Sequence, residues 1–210
     1  MNPPNTAWAH SRRLMLDEFG PDDAPAIVEM HRDARLRAHL IDDLPLDVPA
    51  VARVFIERLE ALYRRHEGLG IWRATLRAPA PAFVGWFSLM PMTGHPGDAE
   101  IGSRLLPAHW GSGLAVEGGE RLLDHAFDDL ALPRVWGICH PHNRPAQAVL
   151  GSLGFERLGV RPYDGAPASH YRIELNAWRT VRNLPRATRL RQTLRGTRRA
   201  PGGVELETSA

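Results

Sequence analysis

Short segments of apolar character, bounded by turn residues, recur along the chain and are typical of strands with a buried face. The predicted strands span residues 13–19, 71–77, 83–90, 99–106, 134–139, 155–161 and 169–175. Proline and glycine mark two of the connections as hairpin turns, Ala78-Pro79-Ala80-Pro81 and Asp164-Gly165. The pattern therefore predicts a sheet that contains at least two antiparallel pairs.

Between these strands, apolar residues recur at the spacing of an α-helix. Helices are predicted over residues 21–37, 48–65, 115–130 and 143–154. The third helix leaves Glu120, Asp124 and Asp128 outside its apolar stripe. Because it joins the strands at 99–106 and 134–139, we expect a right-handed β-α-β unit. The whole pattern predicts an α/β domain.

The composition limits the number of domains and the class of protein but does not identify a function. A chain of 210 residues fits one domain of ordinary size and an appendage. No apolar run approaches the ~20 residues that span a bilayer, and the N-terminus lacks the features of a secretion signal. The single cysteine, Cys139, excludes an internal disulfide and a multi-cysteine zinc site. We therefore expect a cytoplasmic protein without a metal.

Basic residues are concentrated at the C-terminal end. Eight arginines and no acid lie between Trp178 and Pro201, although the formal net charge of the chain is only +2. We therefore divide the chain into a domain at residues 10–178 and an arginine-rich tail at residues 179–210. The domain is left mildly acidic, which suits a cationic substrate. The tail is expected to be a dispensable, solvated extension or a strap in a homodimer; an amphipathic helix that contacts RNA, a ribosome or an anionic membrane is the alternative.

A glycine-bearing turn connects the strand at 99–106 to the helix that follows. Gly111 and Gly113 allow the backbone N–H groups of residues 111–115 to converge on an anion at the helix N-terminus. A Walker loop is excluded because the chain contains no lysine, and a dinucleotide fingerprint would need a glycine where Val116 stands. The pyrophosphate of an acyl-CoA remains, and the alternative is a tight turn that binds nothing.

Three blocks in this order carry a resemblance to a known family. They are Glu100-Ile101-Gly102, the turn His109-Trp110-Gly111-Ser112-Gly113-Leu114-Ala115, and His140-Pro141-His142-Asn143-Arg144 before a helix that ends at Gly154. Over roughly residues 10–178 the chain resembles the GNAT N-acetyltransferases, closest to the branch that acetylates ribosomal-protein N-termini. The resemblance implies a mixed sheet of about six to seven strands, about four flanking helices and a splayed V between two parallel strands.

The resemblance also implies a reaction and a cofactor site. An acetyl group would pass from acetyl-CoA directly to a primary amine, without a metal. The pyrophosphate would bind the backbone of Gly111, Ser112, Gly113, Leu114 and Ala115, beside Trp110, a residue that the ribosomal-protein branch shares.

The pantetheine arm would pair with the edge of a strand that bulges and splays at Leu105 and Leu106, and it would contact Asn143. The N–H group of Leu106 would polarise the thioester carbonyl. For Asn143, a simple helix cap is the alternative and is compatible with binding.

Glu100 is the candidate general base, acting through water on the acceptor ammonium. The alternative is a structural carboxylate paired with Arg104 or with a neighbouring strand. His39, Asp42 and Asp43 lie in a loop that would cover the acceptor site, where they either bind the amine or are simply solvated.

No general acid follows from the resemblance. Ala146 and Leu150 stand where other members have serine and tyrosine. The thiolate could leave unassisted, or water, Cys139 or His140 could protonate it, although Cys139 is expected to be a core residue.

Two other functions stay open at this point, a CoA-binding regulatory domain without turnover and a nucleic-acid module that binds through the tail. The acceptor could be a protein N-terminus, a polyamine, an antibiotic or an amino acid.

Overall fold

The computed structural model of the protein describes residues 8–42 and 44–197. Its centre is one eight-stranded sheet. The strands are β1 (Ala9–His10), β2 (Leu14–Glu18), β3 (Gly70–Leu76), β4 (Ala82–Pro91), β5 (Ala99–Leu105), β6 (Arg134–Cys139), β7 (Glu156–Tyr163) and β8 (Ala166–Glu174). They are ordered β1-β2-β3-β4-β5-β6-β8-β7, and every adjacent pair is antiparallel except β5 and β6. The strand missed by sequence analysis, β1, has only two residues and so shows no periodicity.

Seven α-helices surround the sheet in the described part of the chain. They are α1 (Ala24–Arg32), α2 (Ala34–Arg37), α3 (Pro49–Arg65), α4 (Leu114–Asp124), α5 (Arg144–Leu153), α6 (Leu175–Val181) and α7 (Arg186–Thr197). The helix predicted over residues 21–37 is interrupted at Asp33, which is extended and accepts a hydrogen bond from the backbone N–H of Arg35 at 2.9 Å. This cap starts α2 as a separate helix. None of the described helices combines the length and apolarity needed to cross a bilayer.

The sheet has an apolar core on each face, because successive side chains of a strand point to opposite sides. Phe87 of β4 is fully buried in the core beneath α4 and α5, and the neighbouring Trp86 is buried in the core beneath α1 and α3. The helix α4 lies very close to the sheet, since a Cβ placed on Gly118 would fall 2.2 Å from Cζ of Phe87. A side chain at Gly118 would therefore push α4 away from β4.

The parallel strands β5 and β6 form the predicted V. They pair only from Ala99 opposite Val135 to Ile101 opposite Gly137, and each then continues without pairing to the other. The expected bulge at Leu105 and Leu106 is wrong, since β5 stays in register with β4 from Ala99 to Leu105. The irregularity lies one strand away, where β4 shifts register against β3 at Gly85. The gap therefore opens after Ile101, where β5 stays paired with β4 and β6 stays paired with β8 while the two strands no longer pair with each other.

The described part of the arginine-rich tail packs on the domain. The boundary expected after Trp178 falls inside α6, and Trp178 itself is 1% exposed. On α7, Thr193 Oγ1 donates to the carbonyl of Phe155 at 2.9 Å, and Leu190 lies against Gly151 of α5.

Acidic side chains of α4 and of the π-helical turn that continues it, His125–Asp129, bind the arginines of this tail. Arg182 pairs with Asp128 at 2.7 Å, and Arg186 and Arg189 both bond Glu120. Arg189 is only 2% exposed. The expectation of a solvated extension is therefore wrong for the tail as far as Thr193, because its arginines pair with acidic side chains of the domain and α7 packs on α5.

Candidate active site

The turn after β5 has the backbone that sequence analysis predicts for an anion cradle. Gly111 and Gly113 adopt φ angles of +70° and +79°, which favour glycine, and Gly113 is the N-cap of α4. The first N–H groups of a helix have no partner within it, and the first helical bond here runs from the N–H of Glu117 to the carbonyl of Gly113. The N–H groups of residues 114–116 are thus left for a ligand at the positive end of α4.

Two guanidinium groups flank this cradle, and sequence analysis missed both. Arg13 holds Glu117 with Nε at 2.7 Å and donates from Nη1 to the carbonyl of Ser112 at 3.0 Å. A Cβ built on Gly113 would lie 3.4 Å from Nη1 of Arg186 and 3.7 Å from Nη2 of Arg13. The cradle is therefore built from three distant parts of the chain, and no local pattern in the sequence signals that these arginines meet there.

A cavity of about 530 Å³ passes through the gap between β5 and β6. On one side it is lined by Ala115 and Leu150, from the helices α4 and α5, and on the other by Leu40, Phe55 and Trp86. It thus joins the two faces of the sheet. A cofactor arm entering beside the cradle and an acceptor entering from the opposite face would meet in this gap.

The N–H group of Leu106 is already engaged, because it donates to the carbonyl of Val84 at 2.9 Å. It points towards β4 and not into the gap. Since N–H directions alternate along a strand, the groups of Ser103 and Leu105 are the ones that face β6. The indole of Trp110 donates to the carbonyl of Leu105 at 2.7 Å and so closes the outer end of β5. Leu106 is therefore not a free donor in this structure, and the candidate moves to Ser103 or Leu105.

Asn143 stands at the start of α5 and lines the cavity. Its Oδ1 accepts a hydrogen bond from the backbone N–H of Ala146 at 3.1 Å, which is the helix cap considered from the sequence. The amide nitrogen Nδ2 is left to donate to a ligand. Capping and binding are thus compatible at this residue.

Glu100 faces the cavity and is paired with a residue that sequence analysis missed. Its Oε2 accepts a hydrogen bond of 2.6 Å from the hydroxyl of Tyr163, at the turn between β7 and β8. Burial raises the pKa of Glu100, and the bond from Tyr163 only partly offsets this. The pKa of Tyr163 is raised by burial and by Glu100, so its hydroxyl stays protonated near neutral pH. The only sequence signal nearby was the turn at Asp164-Gly165.

The alternative pairing of Glu100 with Arg104 is wrong, because Arg104 bonds Asp42 instead. Both His39 and Asp42 line the cavity, and the ring of His39 stacks on that of His140 at 5.7 Å. Asp43 lies outside the described residues. The loop predicted to cover the acceptor site thus reaches the cavity through its described side chains.

Cys139 lies on the wall of the cavity but has the character of a core thiol. It is buried, and burial raises its pKa to about 11. An ordinary thiol has a pKa of about 8.5. Cys139 is therefore a weaker acid than the thiol of a departing coenzyme and is poorly suited to protonate it.

Within residues 8–42 and 44–197, no group of three or more His, Cys, Asp or Glu side chains could hold a metal ion.

Comparison with known proteins agrees with this geometry. Residues 13–156 match the family described as "Acetyltransferase (GNAT) domain". Over 158 residues the chain is 27% identical to an uncharacterized N-acetyltransferase, p20, of Bacillus licheniformis, covering 75% of this chain and 87% of that one. It is 31% identical over 109 residues to the FsC-acetyl coenzyme A-N(2)-transacetylase of Aspergillus fumigatus, covering 48% of this chain and 45% of that one.

Solved structures share the fold. RimJ of Mycobacterium smegmatis, solved with a CoA disulfide, superposes with a TM-score of 0.65 at 22% identity, covering 87% of this chain and 90% of that one. The ribosomal-protein acetyltransferase RimL, solved with coenzyme A, superposes with a TM-score of 0.67 at 19% identity over 81% of this chain and 99% of that one. The predicted α/β fold with its parallel pair is thus confirmed. The chain belongs to the GNAT acetyltransferase family and is an acetyl-CoA-dependent acyltransferase.

Proposed function

We propose that the protein is an N-acetyltransferase that transfers the acetyl group of acetyl-CoA to a primary amine by direct attack on the thioester. The observation that carries this proposal is the cavity through the gap between β5 and β6, with the Glu100–Tyr163 pair on its wall. A cavity open to both faces of the sheet lets two substrates approach the same point from opposite sides. That arrangement suits direct transfer without a covalent enzyme intermediate.

The residues around the cradle fit acetyl-CoA. The N–H groups of the turn and of the first turn of α4 would hold the pyrophosphate, and Arg13 and Arg186 would add positive charge beside Gly113. The pantetheine arm would then pass along the free edge of β5, within reach of Asn143. Bound in this way, acetyl-CoA supplies an activated acetyl group in the gap.

Glu100 serves as the base in this proposal. An amine attacks only when it is neutral, and an alkyl amine of pKa about 10 is almost fully protonated at pH 7. Burial raises the pKa of Glu100 towards the working pH, which makes it a better proton acceptor than an exposed carboxylate. It takes one proton from the acceptor ammonium, directly or through water, while Tyr163 holds the carboxylate in place.

The remaining protons balance without an enzyme acid. The amine nitrogen forms a bond to the acetyl carbon, the bond from that carbon to sulfur breaks, and the nitrogen gives up its second proton to water. The sulfur leaves as a thiolate, which is stable because its conjugate thiol has a pKa of about 8.5, and it takes a proton from water. This accounts for Ala146 and Leu150, which line the cavity and have no proton to give.

The candidate acceptors of this protein fall into two groups, protein N-termini and small amines. The ribosomal-protein acetyltransferases share the fold, and the transacetylase of Aspergillus fumigatus shares part of the sequence. We place the protein in the cytoplasm, because a reducing compartment keeps a free thiol such as that of Cys139 reduced.

The test is release of the free thiol of CoA from acetyl-CoA in the presence of amine acceptors. The panel should contain peptides with ribosomal-protein N-termini, polyamines, aminoglycosides and amino acids. Turnover with at least one amine, together with acetylation at nitrogen by mass spectrometry, is the expected result. If the protein binds CoA but no acceptor raises thiol release above hydrolysis, it is a CoA-binding regulatory domain instead.

A further inference from the structure

The acceptor side of the cavity contains a guanidinium group that the proposed reaction does not use. Arg104 lies on the same face of β5 as Glu100 and Gly102, because side chains alternate along a strand. Its side chain is only 18% exposed. A buried positive charge on the route of a cationic amine would hinder binding unless it has a purpose of its own.

Neutral, buried groups hold this guanidinium in place. His31 uses Nδ1 to donate to the carbonyl of Ile27 at 2.8 Å, so its Nε2 accepts from Nη1 of Arg104 at 3.1 Å. The guanidinium lies 5.1 Å from the ring centre of Trp86, on which His31 also stacks. His31 and Trp86 are 1% and 3% exposed. The rigid surroundings of Arg104 therefore fix its position without neutralising its charge.

The carboxylate that balances Arg104 comes from a surface loop. Nη2 of Arg104 bonds Asp42, whose side chain is 48% exposed and lies between α2 and α3. A buried ion needs a partner of opposite charge, but an exposed loop residue can be displaced by another anion at little cost. Glu100 does not serve as the partner, because it is bonded to Tyr163.

We infer that the acceptor amine carries a second, anionic group, a carboxylate or a phosphate, which binds Arg104 in place of Asp42. This inference rests on the proposed function, and it names the substrate class for the same site. The amine would lie at Glu100 and the anion at Arg104. The Asp42 carboxylate occupies the anion position in the unliganded protein and returns to solvent when the acceptor binds.

The strand sets the spacing between the two groups. Glu100 and Arg104 are four residues apart on β5, which corresponds to about 13 Å between their Cα atoms at a rise of about 3.3 Å per residue. Arg104 leans across to Trp86, its direct partner on β4, and does not fold back along β5. The anionic group is therefore separated from the amine by a chain of several atoms, as in an acidic peptide N-terminus or an ω-amino acid.

The experiment compares acceptors in matched pairs that differ only in the anion. One arm uses N-terminal peptide amides with an aspartate or an asparagine at the third position, a second uses ε-aminocaproate and ε-aminocaproamide, and a third uses aminohexyl phosphate and aminohexanol. We expect kcat/KM to favour the anionic member of at least one pair by about tenfold or more. The arm that shows the preference identifies the source of the anion. Equal or lower kcat/KM for the anionic member in all three arms would overturn the inference.

Variants assign the preference to Arg104. Arg104→Met should abolish it, Arg104→Lys should keep part of it, and neither should change CoA affinity by calorimetry. Asp42→Asn removes the competing carboxylate and should lower KM for the anionic member by about threefold or more relative to the neutral one. Because Asp42 is exposed, this variant tests the inference even if Arg104→Met does not fold. A preference that persists in a folded Arg104→Met protein, or an unchanged KM ratio in Asp42→Asn, contradicts it.

The failure of this inference is distinguishable from failure of the proposed function. Turnover of neutral and anionic amines at equal rates leaves the acetyltransferase proposal standing and removes the role of Arg104. If no acceptor turns over, calorimetric titration of the same pairs into the CoA-bound protein still decides whether the anionic members bind more tightly.

Discussion

The hydroxyl of Tyr163 donates a hydrogen bond of 2.6 Å to Oε2 of Glu100, one residue before the pairing of β5 with β6 ends. The two residues are brought together by the turn between β7 and β8, which folds back over the end of the cavity. Burial raises the pKa of both groups, and the hydrogen bond favours the charged carboxylate over the neutral one. The two groups interact directly, so a change at either residue should appear in the pH dependence of catalysis.

Replacing Glu100 by glutamine should remove the base and keep the shape of the site. We expect the turnover rate near pH 7 to fall by about 100-fold, and to recover in part as the pH rises and free amine becomes available. For the wild-type protein, kcat/KM should rise with pH through a pKa above the ordinary range of a glutamate. Full pH–rate profiles of the two proteins, with CoA affinity as the control, measure this.

Stability separates a catalytic Glu100 from a structural one. The folded-state pKa of Glu100 is raised, so ionisation of this residue disfavours the folded state as the pH rises through the unfolded value near 4.5. Glutamine is not ionised, so Glu100→Gln should melt at the same temperature as the wild type or higher near pH 7. A lower melting temperature together with an unaltered pH–rate profile would show that Glu100 is structural.

Replacing Tyr163 by phenylalanine removes the hydrogen bond that favours the charged form of Glu100. The pKa of Glu100 should rise further, and the acidic limb of the kcat/KM profile should move to higher pH. We expect a loss of about tenfold in rate near neutrality. In the Glu100→Gln background the same substitution should have little further effect, which a double-mutant cycle measures. An unshifted limb in a folded Tyr163→Phe protein would separate Tyr163 from the base.

An aspartate at Gly113 should strongly weaken the binding of CoA. The new side chain would start 3.4 Å from Nη1 of Arg186 and 3.7 Å from Nη2 of Arg13, so its carboxylate would take the place of a phosphate at these groups. We expect CoA affinity to weaken at least 100-fold, about 2.7 kcal/mol, by calorimetry.

Gly94 provides a matched control for this substitution. Its φ angle is +77°, close to that of Gly113, and no atom lies within 4 Å of a Cβ built there. Gly94→Asp imposes the same backbone strain away from the cradle, so CoA affinity should not change. Equal losses of affinity in both variants would mean that strain, and not the cradle, explains the effect.

The tail should contribute to stability because Arg189 is buried against Glu120. Arg189→Met should lower the free energy of unfolding by about 1 to 2 kcal/mol in urea, since Glu120 loses the charged hydrogen bond from Arg189 but keeps those from Arg186. Truncation after Trp178, which the sequence suggested would be harmless, should cost at least as much. Arg191→Ala, at an exposed position of α7, should stay within about 0.5 kcal/mol of the wild type.

The contribution of Glu120 has a defined pH dependence. Hydrogen bonds from Arg186 and Arg189 outweigh burial and lower its pKa. A depressed carboxyl pKa stabilises the folded state above the unfolded value near 4.5, and this stabilisation is lost as the pH falls through the folded value. The stability difference between wild type and Glu120→Gln should therefore shrink in acid. A difference independent of pH would mean that packing, and not charge, joins the tail to α4.

The pattern of residues along the chain was enough to predict seven of the eight described strands, the main helices and the glycine turn after β5. Each of these depends on neighbours in sequence: a two-residue or 3.6-residue apolar period, a glycine where φ is positive, an asparagine at the start of α5. The order and spacing of the three motifs around Glu100, Gly113 and Asn143 were sufficient to predict the family. Local backbone preference and spacing carry this information, so it can be read without coordinates.

Tertiary structure alone decided which side chains meet. Tyr163 reaches Glu100 across 63 positions, Arg104 pairs with Asp42 across 62, and Arg186 reaches Glu120 across 66. Charged side chains are long and can reach several partners. The alternation of side chains along β5 therefore suggested that Arg104 pairs with Glu100, whereas in the folded protein Arg104 pairs with Asp42 of a surface loop. For the same reason the sequence did not reveal that the N–H of Leu106 bonds Val84 or that α7 packs on the domain. Hydrogen-bond partners and buried ion pairs depend on which distant segments come together in the fold, and they produce no periodic pattern in the sequence.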